Sequence, residues 1–334
     1  MRVLVTGGAG YIGTRLCAEL LYAGVDVSVL DLMIYGKPPL RANRHLKLHS
    51  GDVRDISLLK QAARDCDVVV HLANLSNDSV NDTCFAESYS VNVASFEPLL
   101  RVCAMSRISR FIFASSTSVY GKRNHLIVDE AATTSPISRY ASWKLECEQI
   151  LGKFASSFEI VVVRAATVCG PSQRQRLDLL INRLTTQAFF EHHVRYNNSG
   201  SIRPAVHIDD VARAYVALAV AQSSSVVGQT FNVAYENRTV QATAAMVLAE
   251  CGESRFVDEG GNDDCRSYAV SANKIASRIG FLPHKTTAIA VQELLARLRC
   301  GLFGDYKASH YYNAKAERAY FAKEPSTLGV TADL

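Results

Sequence analysis

The 334-residue chain has no Cys-x-x-Cys pair and no apolar run near the roughly twenty residues that span a bilayer, so a membrane anchor of that kind is not expected. Its nine cysteines (Cys17, Cys66, Cys84, Cys103, Cys147, Cys169, Cys251, Cys265 and Cys300) are dispersed, several within apolar helix or strand patterns where free thiols belong. His192 and His193 are adjacent, whereas metal ligands on one helix face need a spacing of three or four. They read as a solvated helix end, and no metal is expected. Charge imbalance is also small: 36 Lys and Arg against 32 Asp and Glu give +4, spread along the chain, which points to neither nucleic acid nor a membrane surface. The sequence opens directly on its first strand pattern, leaving no room for a signal or transit peptide, and the expectation is a reducing cytoplasm. Repeats and low-complexity tracts are lacking. What remains is a chain 48% hydrophobic, long enough for one large domain or two intimate ones with a well-buried core.

The first thirty-one residues organise the rest. Arg2-Val3-Leu4-Val5-Thr6 is a β-branched run suited to a buried strand. Gly7-Gly8-Ala9-Gly10-Tyr11-Ile12-Gly13 then opens a helical pattern of Ile12, Leu16, Leu20 and Leu21, and a second apolar strand from Val25 to Leu30 ends in Asp31. Strand, glycine turn, helix, strand and acid come in the order of a dinucleotide-binding βαβ unit. Glycines allow the tight turn and bring backbone N–H groups close to a pyrophosphate. Asp31 is placed to accept from both ribose hydroxyls and to repel a 2′-phosphate, which favours NAD. Gly7, Gly10, Tyr11, Ile12, Gly13 and Asp31 are therefore assigned to the cofactor.

A polar loop with Pro38-Pro39 leads to a short strand at His45–His49 and then to Gly51-Asp52-Val53-Arg54-Asp55, with Asp55 as N-cap of a helix through Leu58, Leu59 and Ala62. Asp52 lies past a strand's carboxyl end. It is either a turn aspartate or an acceptor for the adenine amino group, and Val53 goes with it. The strand Asp67–Leu72 runs into Ala73-Asn74 and the small polar loop Leu75-Ser76-Asn77-Asp78, which by position opens onto the cofactor; Leu72, Ala73 and Asn74 join its wall. A helix over about 84–106 carries Asn92 inside its apolar pattern, where a buried amide needs partners and is suited to brace a neighbouring loop. The strand Phe111–Ala114 enters a serine-rich loop, Ser115 to Gly121, and a helix at Arg139–Phe154 and a strand at Glu159–Arg164 follow. Six uninterrupted strand–helix alternations predict a doubly wound parallel sheet. After Gly170-Pro171 the alternation loosens. Arg174 and Arg176 fall either near a diphosphate or on a solvated face, a strand at Phe231–Val233 returns to the sheet, and small helices and short strands are expected beyond Glu236. The last thirty-odd residues carry Tyr306, Tyr311, Tyr312, Tyr320 and Phe321 among charges; wrapping over the body, wrapping over a partner and fraying all stay open.

Tyr140-x-x-x-Lys144 puts a phenol and an ammonium on one face of a helix. A fixed ammonium and an oxidised nicotinamide both favour the phenolate, pulling a phenol that ordinarily titrates near ~10 toward use as a general base. Lys144 is also suited to hold the nicotinamide ribose.

Thr6-Gly7-Gly8-Ala9-Gly10-Tyr11-Ile12-Gly13, Asp31, Gly51-Asp52, His71-Leu72-Ala73, Ser115 to Gly121, Tyr140-x-x-x-Lys144 and Arg203-Pro204-x-Val206-His207-x-Asp209-Asp210 recur in one order. With them the chain resembles an extended short-chain dehydrogenase/reductase of the NAD-dependent nucleotide-sugar epimerase/dehydratase family, over about residues 1–290. The resemblance implies an α/β fold: a Rossmann-type doubly wound parallel sheet (residues 1–168, with a return segment at about 205–235) and a smaller, discontinuous substrate lobe and tail (169–204 and 236–334). It implies Ser116 as catalytic hydroxyl, Tyr140 as base, Lys144 as its partner, and Arg203 on the substrate diphosphate. Ser76, Ser116, Thr117, Thr167 and Arg203 are the expected substrate contacts. The implied chemistry is oxidation of a nucleotide-diphosphate sugar at C4 and re-reduction from the other face.

Two departures shape the reading. Dehydratases of the family carry Asp-Glu directly after the catalytic hydroxyl, where this chain has Thr117 and Ser118; many relatives have Asn where it has Thr167. The expectation is a 4-epimerase, with a 4-dehydrogenase or 4-ketoreductase on the same scaffold and an NAD-sensing regulatory protein as rivals. A homodimer pairing helices 84–106 and 139–154 is expected as well.

Overall fold

The computed structural model describes residues 1–36, 43–76, 85–252, 255–261 and 266–323. Its first half builds β1 (Arg2–Thr6), α1 (Tyr11–Tyr22), β2 (Asp26–Asp31), β3 (Leu46–Ser50), α2 (Ile56–Ala62), β4 (Val68–His71), α3 (Phe85–Tyr89), α4 (Phe96–Met105), β5 (Arg110–Ser116), β6 (Lys122–Val128), α5 (Arg139–Gly152) and β7 (Glu159–Ala165). Then come β8 (Thr167–Cys169), α6 (Leu180–Glu191), β9 (His193–Tyr196), β10 (Ile202–His207), α7 (Ile208–Val220), β11 (Gln229–Val233), β12 (Glu236–Thr239), α8 (Val240–Cys251), β13 (Arg255–Asp258), β14 (Ser267–Val270), α9 (Thr287–Arg299) and α10 (Asn313–Lys323).

Seven parallel strands form the central sheet in the order β11-β7-β5-β4-β1-β2-β3. Because successive side chains of a strand point to opposite faces, each strand feeds two cores. Val3 and Val5 pack with Leu16, Leu20, Tyr215 and Leu218 of α1 and α7, while Leu4 and Val69 pack with Leu59, Leu99, Leu100 and Leu151 of α2, α4 and α5. The strand order reverses between β1 and β4, and the crevice outside their carboxyl ends is where such a sheet takes a ligand.

Three expectations need correction. No helix joins β2 to β3 among the described residues, so the alternation is interrupted there; Pro38-Pro39 lies outside the described residues. The helix expected over 84–106 starts at Phe85 and is broken by a π-helical turn, Ser90–Ala94, a distortion common at functional sites. Beyond Glu236, besides α10, stand two full helices, α8 and α9. They meet α6 in a third core through Val240, Ala244 and Val247, through Ala290, Val291, Leu294 and Leu298, and through Ile181 and Leu184. One strand pair also went unforeseen: β6 pairs in parallel with β14 beside the small β12-β10-β8 sheet. No helix among the described residues is long and apolar enough to cross a membrane.

Candidate active site

The glycine turn follows β1 because only glycine fits it. Gly7 has φ +74°, and a Cβ there would stand 2.6 Å from the Ala73 nitrogen; at Gly13 it would stand 2.2 Å from the Gly7 oxygen. The turn thus closes against both α1 and the segment after β4. Gly10 caps α1 without a side-chain acceptor, which leaves the helix's first N–H groups for an anion. The Asp31 carboxylate accepts from the Ala9 N–H at 2.9 Å and the Met33 N–H at 2.8 Å. Burial pushes it above the usual carboxylate range, opposed by those two N–H groups and by nearby Arg174. Asp52 is clamped by Arg54, whose guanidinium reaches its carboxylate at 2.6 Å and also donates to Ser90 Oγ at 3.1 Å on the π turn.

These residues face one cavity of about 650 Å³, shared by Gly7, Gly10, Ile12, Gly13, Asp31, Asp52, Val53, Leu72, Ala73 and Asn74. The buried Asn74 Nδ2 has no hydrogen-bond partner among the described residues, and Asn74 lines this same cavity, a donor awaiting an acceptor. A backbone cradle that excludes any Cβ, an anchored acid and an orphan donor fit a dinucleotide. Two residues of the expected cofactor set contribute in their own ways: Tyr11 lines the cavity, and Asn92 braces a loop as its place in an apolar helix pattern suggested. Tyr11 is buried with its hydroxyl donated to Gly170 O at 2.6 Å, so that hydroxyl is not free for the cofactor. Asn92 does not line the cavity. Its amide bonds both ways to Leu75, accepting from the N–H at 2.8 Å and donating to the carbonyl at 3.1 Å, so it holds the loop that does. Asn77 and Asp78 lie outside the described residues.

The proposed catalytic groups stand deeper in the same cavity. Ser116 ends β5 and caps the short turn Thr117–Tyr120. Its Oγ accepts from Ser118 N at 3.2 Å and Ser118 Oγ at 3.0 Å, which directs its own proton outward as a donor. Helix α5 is capped by Ser138, accepting from Ala141 N, and brings Tyr140 and Lys144 to the cavity one turn apart. Lys144 is buried, donates to the Ala114 carbonyl at 2.7 Å, and lies 5.6 Å from the Tyr140 ring centroid. Burial lowers its pKa to about 8, against the neighbouring Cys147 and Glu148, which favour the ammonium. Thr117 is buried, bonded to Ala165 O at 3.3 Å and Tyr268 OH at 3.4 Å.

Thr167 on β8 and Arg203 on β10 line the far end. Arg176 is drawn in rather than solvated, gripping Asp178 with two bonds at 2.9 Å and donating to Ser76 Oγ at 3.0 Å. Sequence reasoning missed Tyr215, Arg266 and Tyr268, all on the cavity wall. Tyr215 sits in the apolar stripe of α7 and reads as core. The motif histidine, His207, caps α7 by accepting from Asp209 N at 3.1 Å. His207, Asp209 and Glu293 come together, but Lys285 Nζ lies 2.8 Å from Asp209 and 2.6 Å from Glu293, so an ammonium already meets that charge.

The family model described as the NAD dependent epimerase/dehydratase family matches residues 3–234. UDP-glucose 4-epimerase of Azospirillum brasilense is 27% identical over 305 residues, covering 84% of this chain and 87% of that one. UDP-glucose 4-epimerase of Yersinia pestis is 38% identical over 162 residues, 45% of this chain and 47% of that one. Among solved structures, MoeE5 in complex with UDP-glucuronic acid and NAD superposes with a TM-score of 0.80 at 26% identity, over 90% of this chain and 100% of that chain. The chain belongs to the NAD dependent epimerase/dehydratase family, and its cofactor is NAD.

Proposed function

We propose that the protein is a nucleotide-sugar 4-epimerase, an NAD-dependent enzyme acting on a nucleoside-diphosphate sugar. One observation carries this reading: Ser116, Tyr140 and Lys144 share a cavity with the glycine turn and Asp31, and Thr117 and Ser118 stand where a dehydratase needs an acid pair. Among the described residues, the wall's carboxylates are Asp31, Asp52 and Asp178, and Asp178 is held by Arg176. Elimination of water therefore lacks an acid beside Ser116. The relatives' UDP-sugars and the cavity volume of about 650 Å³ support a nucleoside diphosphate as the handle.

Residues of the glycine turn, with Asp31, Asp52, Val53, Leu72, Ala73 and Asn74, hold the cofactor in this reading; Ser76, Ser116, Thr117, Thr167 and Arg203 hold the sugar nucleotide. NAD held by these residues would supply the acceptor and later the donor for the hydride of the sugar's C4. Tyr140 removes the proton of the C4 hydroxyl and later restores it, while Ser116, whose lone pairs are occupied by Ser118, donates to the same oxygen. The Lys144 ammonium favours the phenolate. Arg203 anchors the diphosphate through a forked guanidinium. Residues 1–168 with 205–235 then serve the cofactor, and 169–204 with 236–334 form the substrate lobe and tail.

The test is absorbance at about 340 nm, where reduced nicotinamide is seen, on adding UDP-, GDP- and dTDP-sugars. A transient band with conversion to a stereoisomer is the expected result. A band that accumulates makes the enzyme a 4-dehydrogenase instead.

The same reading includes a homodimer and a reducing cytoplasm. Phe85 is 49% exposed, stacks on Tyr89, and adjoins Trp143 on the helices expected to pair, although Glu97 and Arg101 beside it keep that face partly polar. A gel-filtration mass of one chain would remove the dimer. Cys17, Cys66, Cys103, Cys147, Cys169, Cys251 and Cys300 are free thiols, in keeping with that compartment.

A further inference from the structure

The segment beyond the sugar-nucleotide lobe returns to the cofactor half. Tyr311 O accepts from Leu177 N at 2.9 Å, and α10 then brings Asn313 onto the cavity wall. The helix buries one face, Asn313, Ala316 and Glu317, in an i, i+3, i+4 pattern, and Phe321 one turn further packs into the same core as Ile34. Two of those buried residues are polar. Asn313, itself on the cavity wall, donates to Ser76 Oγ at 3.1 Å in the loop after β4 and accepts from Arg174 at 2.5 Å. Glu317 is fully buried and accepts from the Tyr35 hydroxyl, in the loop after β2 that begins at Asp31. Arg174 stacks on the Tyr35 ring at 3.6 Å and completes the clasp. Burying a carboxylate and an amide costs free energy that such bonds offset; Glu317 Oε2 has no partner among the described residues, so the bond from Tyr35 to Oε1 is what holds that carboxyl in place.

We propose that α10 is the outer wall of the cofactor site, with Asn313 and Glu317 clasping the loops after β2 and β4 so that bound NAD leaves only when the helix lifts. Tyr35, Ser76 and Asn313 face the same cavity as Asp31 and Asn74, so the clasp lies on the exit path of the dinucleotide. A structural strap elsewhere on the surface would have no reason to touch both cofactor loops. Charge gives a second handle. Burial raises the Glu317 carboxyl to about 7, with Tyr35, Arg176 and Arg174 drawing it down and Asp178 pushing it up. The closed helix therefore holds a proton that a lifted, solvated Glu317 releases from its ordinary 4.5 upward. Closure weakens as pH rises between those two values, and NAD release quickens over the same window.

The inference rests on NAD being the cofactor, not on which sugar is turned over, so the test uses no sugar. NAD release is followed from the full chain by exchange against labelled NAD at pH 6 and pH 8. In Glu317→Ala and Asn313→Ala, release is expected to speed up about tenfold, the equivalent of one lost bond of this kind, while Glu317→Gln, which can still accept from Tyr35, stays near the wild-type rate at pH 6. Alanine variants that release NAD at the wild-type rate overturn the proposal. A purely structural role would lower the melting temperature without changing release. Amide exchange of residues 313–321 in the wild-type chain serves if a variant fails to fold: protection that rises on saturation with NAD supports the clasp, and protection that does not change overturns it. A wild-type chain that takes up no NAD overturns both this inference and the cofactor reading.

Discussion

Tyr140→Phe is expected to lower kcat by about 10²–10⁴-fold, the usual worth of a positioned general base, while leaving NAD binding within a factor of about two. The ring stays beside Lys144, 5.6 Å from its Nζ, so packing and the ammonium's surroundings survive; only the proton-transferring oxygen is lost. The pH profile should carry the same signature. Lys144 is held to about 8 by burial, so it is an ammonium below that value and neutral above it. With the ammonium gone, the Tyr140 phenolate loses the fixed charge that Lys144 supplied, and kcat/KM falls as pH rises through about 8. In Lys144→Met that alkaline limb disappears, because the group that titrates is absent. A Tyr140→Phe variant turning over at the wild-type rate would sink the proposed base; a limb that persists unchanged in Lys144→Met would assign it to another group.

How far the sequence carried depends on where each residue's partners lie along the chain. The first half was mostly legible because β1, β2, β4 and β7 are buried on both faces and read as β-branched runs, and because the glycine turn states its own constraint: a Cβ at Gly13 would strike the Gly7 oxygen, six residues away. Asp55 as a cap and Asn92 as a brace were likewise local problems with local solutions. Strand β6 was not legible. Lys122-Arg123-Asn124-His125-Leu126-Ile127-Val128 is half polar and becomes a strand by pairing with β14, well over a hundred residues later. Helices α8 and α9 were underestimated because alanines dilute their stripes, and only contact with α6 makes a core of them. At the site, Arg176 stayed open between a diphosphate and a solvated face, and Glu317 was one charge among many in the tail. Their burial is set by distant partners, Ser76 for one and Tyr35 for the other, and no spacing rule reports that.

The same logic applies to the group that aligns the catalytic helix, and it yields the largest expected loss of stability. Glu148, one turn beyond Lys144 on α5, accepts from Ser115 Oγ on β5 and takes Arg164 of β7 in a two-pronged grip at 2.6 and 3.0 Å. Arg164 passes the chain on to the Tyr120 hydroxyl at 3.1 Å, which donates to Asn232 on β11 at 2.9 Å. Both charged side chains are nearly buried, 10% and 8% exposed. Burial alone would disfavour the Arg164 charge, but Glu148 reverses this and raises its pKa above the ordinary value. Glu148→Ala therefore leaves a guanidinium buried without its counter-charge, and a loss of about 3–5 kcal/mol is expected in urea unfolding. Replacing both partners, Glu148→Leu with Arg164→Met, removes the pair without orphaning a charge, and should recover most of that loss. Activity should separate the two variants from wild type differently. The double variant regains stability but not the tie from α5 to Ser115, the residue preceding Ser116, so its kcat stays low while its unfolding midpoint returns. A single variant that loses less than about 1 kcal/mol would mean that water reaches Arg164 and that the pair is no more than a surface contact. A double variant with full kcat would mean that Ser138 and the packing of Trp143, Cys147 and Leu151 suffice to align α5 against the sheet.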